Sequence, residues 1–206
     1  MTRPPYLIRT ERLVIRCWSP EDAPLAKAAI DSSLDHLRLW MPWAHAEPTT
    51  VEEKAELFRF FRDSFDRGED FVYGILDPDG SEVIGGTGLH TRVGPGAFEI
   101  GYWISASRGG AGLATESTAA LTRVAFELCG VDRMEIHVDP RNERSSAIPI
   151  RLGYPEEARL RRRLPPLPGG EPRDAVCYTL FRDAYPGTPS AAAQLEAFYA
   201  TGARVL

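Results

Sequence analysis

Phe98-Glu99-Ile100-Gly101-Tyr102-Trp103-Ile104-Ser105, followed within four residues by Gly109-Gly110-Ala111-Gly112-Leu113-Ala114-Thr115-Glu116, reads as a strand, a glycine-rich turn and a helix start. The strand alternates, with Phe98, Ile100, Tyr102 and Ile104 on one side and Glu99, Gly101 and Trp103 on the other. Leu113, Ser117, Leu121, Val124 and Leu128 then recur at helical spacing as far as Cys129, and Gly130 is a stop signal. Glycines at such a junction let backbone approach a ligand closely. The free N–H groups of the helix start, with their partial positive charge, suit a phosphate or pyrophosphate. A merely flexible glycine turn is the competing reading.

Three ligand classes can be weighed for this loop. A triphosphatase loop needs a Lys-Ser/Thr pair at the helix start, where this chain has Leu113-Ala114. A dinucleotide loop needs a third glycine in register and an early βαβ unit, and Gly110-x-Gly112 lies mid-chain without that glycine. The third class is coenzyme A. Here the segment resembles the Gln/Arg-x-x-Gly-x-Gly/Ala signature of the GNAT superfamily of N-acetyltransferases. Gly112 and Ala114 fill its last two places, Ala114-Thr115-Glu116 continues it as that family often does, and Gly109 departs from it, with Arg108 one residue early.

Other segments extend the resemblance. Arg133-Met134-Glu135-Ile136-His137-Val138-Asp139-Pro140 reads as a strand, and Asn142-x-x-Ser145 opens a short helix that closes at Leu152-Gly153-Tyr154. This is similar to the Asn-x-x-Ser…Leu-Gly-Phe segment of the RimJ/RimL-type ribosomal-protein N-terminal acetyltransferases. Thr10-Glu11-Arg12-Leu13-Val14-Ile15-Arg16 with Asp22-Ala23 looks like that group's first strand and helix, and Trp40-Met41-Pro42-Trp43 resembles its substrate-side loop.

The remaining pattern predicts a strand over 12–18, helices over 23–37 and 51–66, and a hairpin of 71–76 with 82–91 across Asp77-Pro78-Asp79-Gly80. Leu57, Phe58, Phe61 and Phe65 form the buried stripe expected of the second helix. Strands are expected to residue 163 and around 175–181, not necessarily as a simple hairpin. The expected fold class is α+β (α/β three-layer): a central mixed, mostly antiparallel sheet with helices on both faces. Residues 1–184 are expected to form one acetyltransferase domain. Residues 185–206 lie outside the family pattern, and Ala191 to Tyr199 has the composition of a docked terminal helix, with a frayed tail as the alternative.

Composition excludes more than it identifies. A chain of 206 residues, 43% hydrophobic, can bury one sizeable core, and a net charge of −5 argues against a nucleic-acid partner. Cys17, Cys129 and Cys177 are widely spaced and odd in number, as in a reduced cytoplasmic protein. No apolar run over 1–7 suggests export, no segment has transmembrane length, and a homodimer is compatible with the pattern. The scattered histidines, His90 and His137 among them, show no ligand spacing, so no metal is expected.

The resemblance implies acetyl-coenzyme A as cofactor and a primary amine as acceptor, with a protein or peptide N-terminus ahead of a small-molecule amine and of a non-catalytic acyl-coenzyme A sensor. Acetyl transfer needs a neutral amine, donors for the oxyanion and a proton or dipole for the leaving thiolate. Glu99 is the candidate base, directly or through water, against a solvated strand carboxylate. Ser145 is the candidate proton donor to sulfur, against a first-turn residue bonded to the Asn142 cap. Backbone of Trp103, Ile104 and Ser105 is expected to pair with the pantetheine arm. Arg108, Gly109, Gly110, Ala111, Gly112, Leu113, Ala114 and Thr115 would cradle the pyrophosphate, with Asn142 and Ser145 completing the site. Arg141 and Arg144 are further candidates for phosphate balance. Trp40, Trp43 and His45 are the candidate acceptor contacts, with helix-pinning aromatics as the alternative. Many GNAT enzymes carry a tyrosine acid seven residues after the asparagine. That place is Pro149 here, which excludes a tyrosine there and predicts a kinked or shortened helix.

Overall fold

The computed structural model describes residues 2–206. Strands β1 (Leu7–Arg9), β2 (Val14–Cys17), β3 (Phe71–Leu76), β4 (Val83–His90), β5 (Ala97–Ile104), β6 (Arg133–Val138), β7 (Glu156–Leu164), β8 (Arg173–Phe181) and β9 (Glu196–Phe198) form one sheet in the order β7-β8-β6-β5-β4-β3-β2-β1-β9. Only the β5–β6 pair is parallel, so the mixed, mostly antiparallel sheet is as expected.

Strand alternation divides the core between the two faces. Phe98 and Ile100 join Tyr73, Ile136 and Tyr178 beneath α4 (Leu113–Val124) and α5 (Glu143–Arg151). On the other face, α1 (Ala23–Asp31) and α3 (Val51–Arg67) cover Val14, Trp18, Leu76 and Val83. A five-residue helix α2 (Leu34–Arg38) follows α1 after a break at Ser32 and Ser33, so the single helix expected over 23–37 is two. In α3 the buried stripe takes Lys54 at 2% exposure, while Leu57 is 41% exposed. Lys54 can be inside because Nζ is paired with the Glu47 carboxylate.

One strand is unexpected, one expected helix is a strand, and the shortened form of α5 is not seen. β1 is too short to show a period. It is nonetheless fixed on both sides, by β2 and by β9. Residues 191–199 are not a docked helix: a tight turn at Pro189–Ala192 leads into β9, whose Ala197 is fully buried. Docked there, β9 satisfies the β1 backbone edge, which helix geometry could not do. Pro149 does not cut α5 short, and the helix runs on to Arg151.

β7 and β8 do pair, with one register shift between Glu156 and Ala158 and another between Leu160 and Leu164, which spans Arg162 at φ 52°. Arg159, Arg161, Arg162 and Arg163 on β7 are mostly exposed and discourage further strand addition at that end of the sheet. Among the described residues, no helix is long and apolar enough to cross a membrane.

Candidate functional site

The parallel pair β5–β6 is in register only at Ala97, Phe98 and Glu99. Beyond Glu99, β5 continues to Ile104 against β4 alone, while β6 continues to Val138 against β8. The two strands therefore splay, leaving one backbone edge of residues 100–104 without a strand partner. An extended ligand arm carrying amides could pair there. Trp103 and Ile104 lie on this open half, and the Ser105 N–H bonds instead to the Ile84 carbonyl at 2.8 Å.

At the end of that edge the exposed loop 106–112 turns into α4. Gly110 and Gly112 adopt φ of +82° and +79°, a region open to glycine at little cost. No side chain caps α4, and its first backbone bond runs from the Glu116 N–H to the Gly112 carbonyl at 3.0 Å. The N–H groups of Leu113, Ala114 and Thr115 are thus free for an anion. Arg12 holds the loop from beneath, donating to the Ala111 carbonyl at 2.9 Å and from Nε to Glu116 at 2.7 Å, while the Thr10 hydroxyl donates to Glu116 at 2.6 Å. Two sequence motifs 104 residues apart therefore form one support. Open strand edge, uncapped helix start and left-handed glycines together fit an extended, amide-bearing ligand that ends in a pyrophosphate. Arg108 is engaged by Glu82, and Arg141 donates to Asp139 at 2.7 Å, so neither is a free cation at the loop; Arg144 is exposed.

On the α5 side of the splay, the Asn142 side chain caps the helix, accepting from the Ser145 N–H at 3.1 Å. The Ser145 hydroxyl lies 3.1 Å from the Tyr102 hydroxyl, and Tyr102 also donates to the Ser145 carbonyl at 3.1 Å. That carbonyl would ordinarily accept from the N–H of residue 149, which proline lacks. The phenol supplies the missing donor, which is why α5 passes through Pro149. Burial raises the Tyr102 pKa well above its ordinary value, so the hydroxyl stays protonated. With its one proton on the carbonyl, its oxygen can accept from Ser145. The sequence shows Tyr102 only as one of four alternating core positions. Its reach to α5 depends on the splay and on the proline.

Glu99, Gly101 and Trp103 face the α1/α3 side. Glu99 is 8% exposed and accepts a bidentate fork from Arg92, Nε at 2.8 Å and Nη2 at 2.6 Å. Burial pushes the carboxyl up, but the Arg92 fork and the His137 and His90 charges outweigh it and hold the group below the usual carboxylate range. His137 Nδ1 lies 4.0 Å from Glu99, and its Nε2 is 2.9 Å from Glu135. His90 bonds Asp70 at 3.0 Å, and its ring covers Gly88, where a Cβ would lie 2.8 Å from the ring. The Trp103 ring fills the corresponding place over Gly86, 2.5 Å from where a Cβ would stand. Arg92 and His90 escaped the sequence reading because nothing in their spacing links them to Glu99. Sequence spacing likewise gave no metal ligands, but the fold brings Glu135, His137 and Cys177 together.

The loop over 40–48 contributes unevenly. Trp43 is 39% exposed and meets Trp103 edge-on at 5.9 Å, which puts an aromatic wall on the same face of β5 as Glu99, four residues further along the strand. His45 is exposed, with its Nε2 3.0 Å from the Arg38 carbonyl, and Trp40 is held through its carbonyl by Arg173 Nη2 at 3.3 Å. Arg173 also donates to Asp139 at 3.1 Å, and the Asp139 carbonyl accepts from the Asn142 N–H at 2.8 Å. The aromatic loop and the α5 cap thus share a buried ion pair.

Residues 12–155 match the sequence profile described as an acetyltransferase (GNAT) domain. A Bacillus subtilis (strain 168) protein named "Putative ribosomal N-acetyltransferase YdaF" is 30% identical over 179 residues, 86% of this chain and 95% of that one. The [ribosomal protein uS5]-alanine N-acetyltransferase of Escherichia coli (strain K12) is 28% identical over 160 residues, 75% of this chain and 80% of that one. Among solved structures, the ribosomal L7/L12 α-N-protein acetyltransferase RimL in complex with coenzyme A superposes with a TM-score of 0.76 at 21% identity, covering 86% of this chain and 99% of that one.

Proposed function

The chain belongs to the GNAT acetyltransferase family, and on that premise we propose that it transfers acetyl directly from acetyl-coenzyme A to the α-amine of a protein or peptide N-terminus. The observation that carries this reading is the β5–β6 splay ending at the uncapped start of α4, with the Ser145 hydroxyl on one side and the Glu99 carboxylate on the other. Acetyl-coenzyme A, when bound, supplies the thioester that the amine attacks. Residues 109–115 hold its pyrophosphate through backbone N–H groups, and the free edge of β5 holds the amide-bearing arm.

Glu99 is ionised at neutral pH and is a weak base, because Arg92 competes for both of its oxygens. Its work is to attract the acceptor ammonium to the Trp43–Trp103 wall and to pass one proton out through water. This suits an α-amine. With a pKa of about 7.7–8.0, reaching the neutral form at pH 7 costs about 1.4 kcal/mol or less, against about 4.6 kcal/mol for a lysine amine near 10.4. The names of the curated relatives point the same way. Ser145 rests with its one proton on the Tyr102 oxygen and turns it to the departing thiolate, and the second proton shed by the acceptor nitrogen replaces it on the hydroxyl.

The test is thiol release from acetyl-coenzyme A against peptides with varied N-terminal residues and against small amines, with coenzyme A binding followed by calorimetry. Peptide-dependent release, lowered in Glu99→Gln and in Ser145→Ala while coenzyme A affinity is kept, is the expected result. Turnover confined to small amines overturns the acceptor assignment, and absence of coenzyme A binding overturns the site.

A further inference from the structure

Beyond the acetyl-transfer site, β6 and β8 bring together three donors of different chemistry. His137 and Cys177 are direct cross-strand partners, and Glu135 lies two residues back on the same face. One donor atom from each of the three residues lies within 4.8 Å of the other two. Glu135 is divided in its bonding. Arg133 Nε occupies Oε1 at 2.8 Å, while Oε2 receives His137 Nε2 at 2.9 Å and the Cys177 thiol at 3.8 Å.

We propose that Glu135, His137 and Cys177 form a binding site for a thiophilic divalent cation such as Zn²⁺. Thiolate, imidazole and carboxylate are a zinc donor set, and three protein ligands leave a fourth position open. Zinc bonds of about 2.0–2.3 Å put tetrahedral donors roughly 3.5 Å apart, so with His137 Nε2 2.9 Å and Cys177 Sγ 3.8 Å from Glu135 Oε2, side-chain rotation has only to open the first pair slightly and draw the thiol in. The exchange balances in charge. One divalent cation replaces the Nε2 proton of the imidazolium and the Cys177 thiol proton, which leave to solvent, and Glu135 keeps its charge.

The surroundings are also those of a metal site. His137 turns Nε2 to the cluster and Nδ1 to Glu99 Oε2, 4.0 Å away. Ligating histidines commonly bond the other nitrogen to a carboxylate, and Glu99 is the carboxylate that faces Nδ1 here, about 1 Å beyond hydrogen-bond reach. Glu99 is in turn fixed by Arg92. His137 and Glu135 remain 17% and 12% exposed in their side chains, so the cluster is reached from the Glu99 side of the sheet, and Cys177 closes its floor. Burial pushes the thiols of Cys17 and Cys129 up to about 11 and about 12, and neither has a place in the cluster.

Co²⁺ is the direct probe, read by absorption on the purified chain without acyl donor. The wild type is expected to bind one equivalent with a near-ultraviolet thiolate-to-cobalt band and the intense visible bands of tetrahedral coordination, both removed by Zn²⁺. Cys177→Ser should lose the thiolate band, whereas Cys129→Ser should keep it. Glu99→Gln should keep the band but weaken binding roughly tenfold to a hundredfold. His137→Gln leaves all three thiols in place and serves if Cys177→Ser does not fold; it should lose tetrahedral binding. A wild-type titration without a thiolate band, or a band that survives in Cys177→Ser or in His137→Gln, overturns the proposal.

Discussion

Replacing Tyr102 by Phe removes one hydroxyl and, with it, the donor that reaches the Ser145 carbonyl in place of the N–H that Pro149 lacks. A buried carbonyl left without a donor costs about 1–3 kcal/mol. Ser145 is only half-buried, so water offsets part of the loss and the expected cost is about 1.5 kcal/mol. Pro149→Ala restores the N–H of residue 149, and the carbonyl then has a helical donor of its own. In that background Tyr102→Phe should cost only about 0.5 kcal/mol, giving a coupling of about 1 kcal/mol, outside the ~0.3–0.5 kcal/mol scatter of independent sites. Pro149→Ala alone has no fixed sign, since it both relieves the helix and deletes buried ring atoms, and the cycle removes that term. The assay is urea unfolding of all four proteins at constant m. Thiol release on the same four separates structure from chemistry. Tyr102→Phe should slow transfer about tenfold, or ~1.4 kcal/mol, in either background, because the Ser145 hydroxyl loses its restraint regardless of residue 149. Stabilities that add within 0.5 kcal/mol would refute the claim that the phenol stands in for the proline's missing donor.

Three further outcomes follow from particular pairs. Glu47→Gln leaves Lys54, 2% exposed, without its counter-charge; the amide still accepts one bond, so about 3 kcal/mol should be lost, a fall in Tm of roughly 6–12 °C in a thermal scan. Cys177 beside it and the Glu99 charge push His137 up from 6.5 to about 9, so its contribution to stability is full below pH 6.5 and lost as pH rises through 9. That contribution is at most about 3 kcal/mol, and in urea unfolding at pH 6 and pH 9.5 His137→Gln should show a smaller drop than the wild type; parallel curves would remove the effect. Arg12→Ala frees the Ala111 carbonyl and Glu116, and coenzyme A binding by calorimetry should weaken roughly fivefold, or about 1 kcal/mol, while an unchanged affinity would dissociate Arg12 from the loop.

How far the sequence reached depended on the range of the interaction. Local patterns held: the β5 alternation, the Asp77-Pro78-Asp79-Gly80 turn, the Asn142 cap and the stop at Gly130 are set by neighbours along the chain. β9 and β1 failed to show because strands of three residues have no period, and β9 is stabilised by the edge it covers. The 23–37 segment shows the opposite error, in which apolar spacing persists across Ser32 and Ser33 although the helix does not. At the site, Glu99 was legible from its place before the glycine loop, whereas Arg92, His137 and Tyr102 were not, since their partners are brought by strand register and by the splay. The Arg38 carbonyl beside His45 Nε2 was likewise not visible in the sequence, because the loop's own turn brings the two together.

The splay also explains why one strand can serve two chemistries. Pairing to β6 ends at Glu99, so the same residue at which the backbone edge opens is the carboxylate that faces the α1/α3 side. Three residues later, Tyr102 points to the opposite face and reaches Ser145. On the proposed mechanism, Glu99 takes the acceptor's first proton and Ser145 protonates the thiolate from opposite faces of β5, with the open edge between them. A period of two forces this division. Moving the start of the splay by one residue would change which face holds the residue at the opening, and an inserted residue in β5 between Glu99 and Tyr102 should abolish transfer while leaving coenzyme A binding at the α4 start measurable by calorimetry. Retained transfer in such an insertion variant would show that the two proton-handling groups are not tied to one strand register.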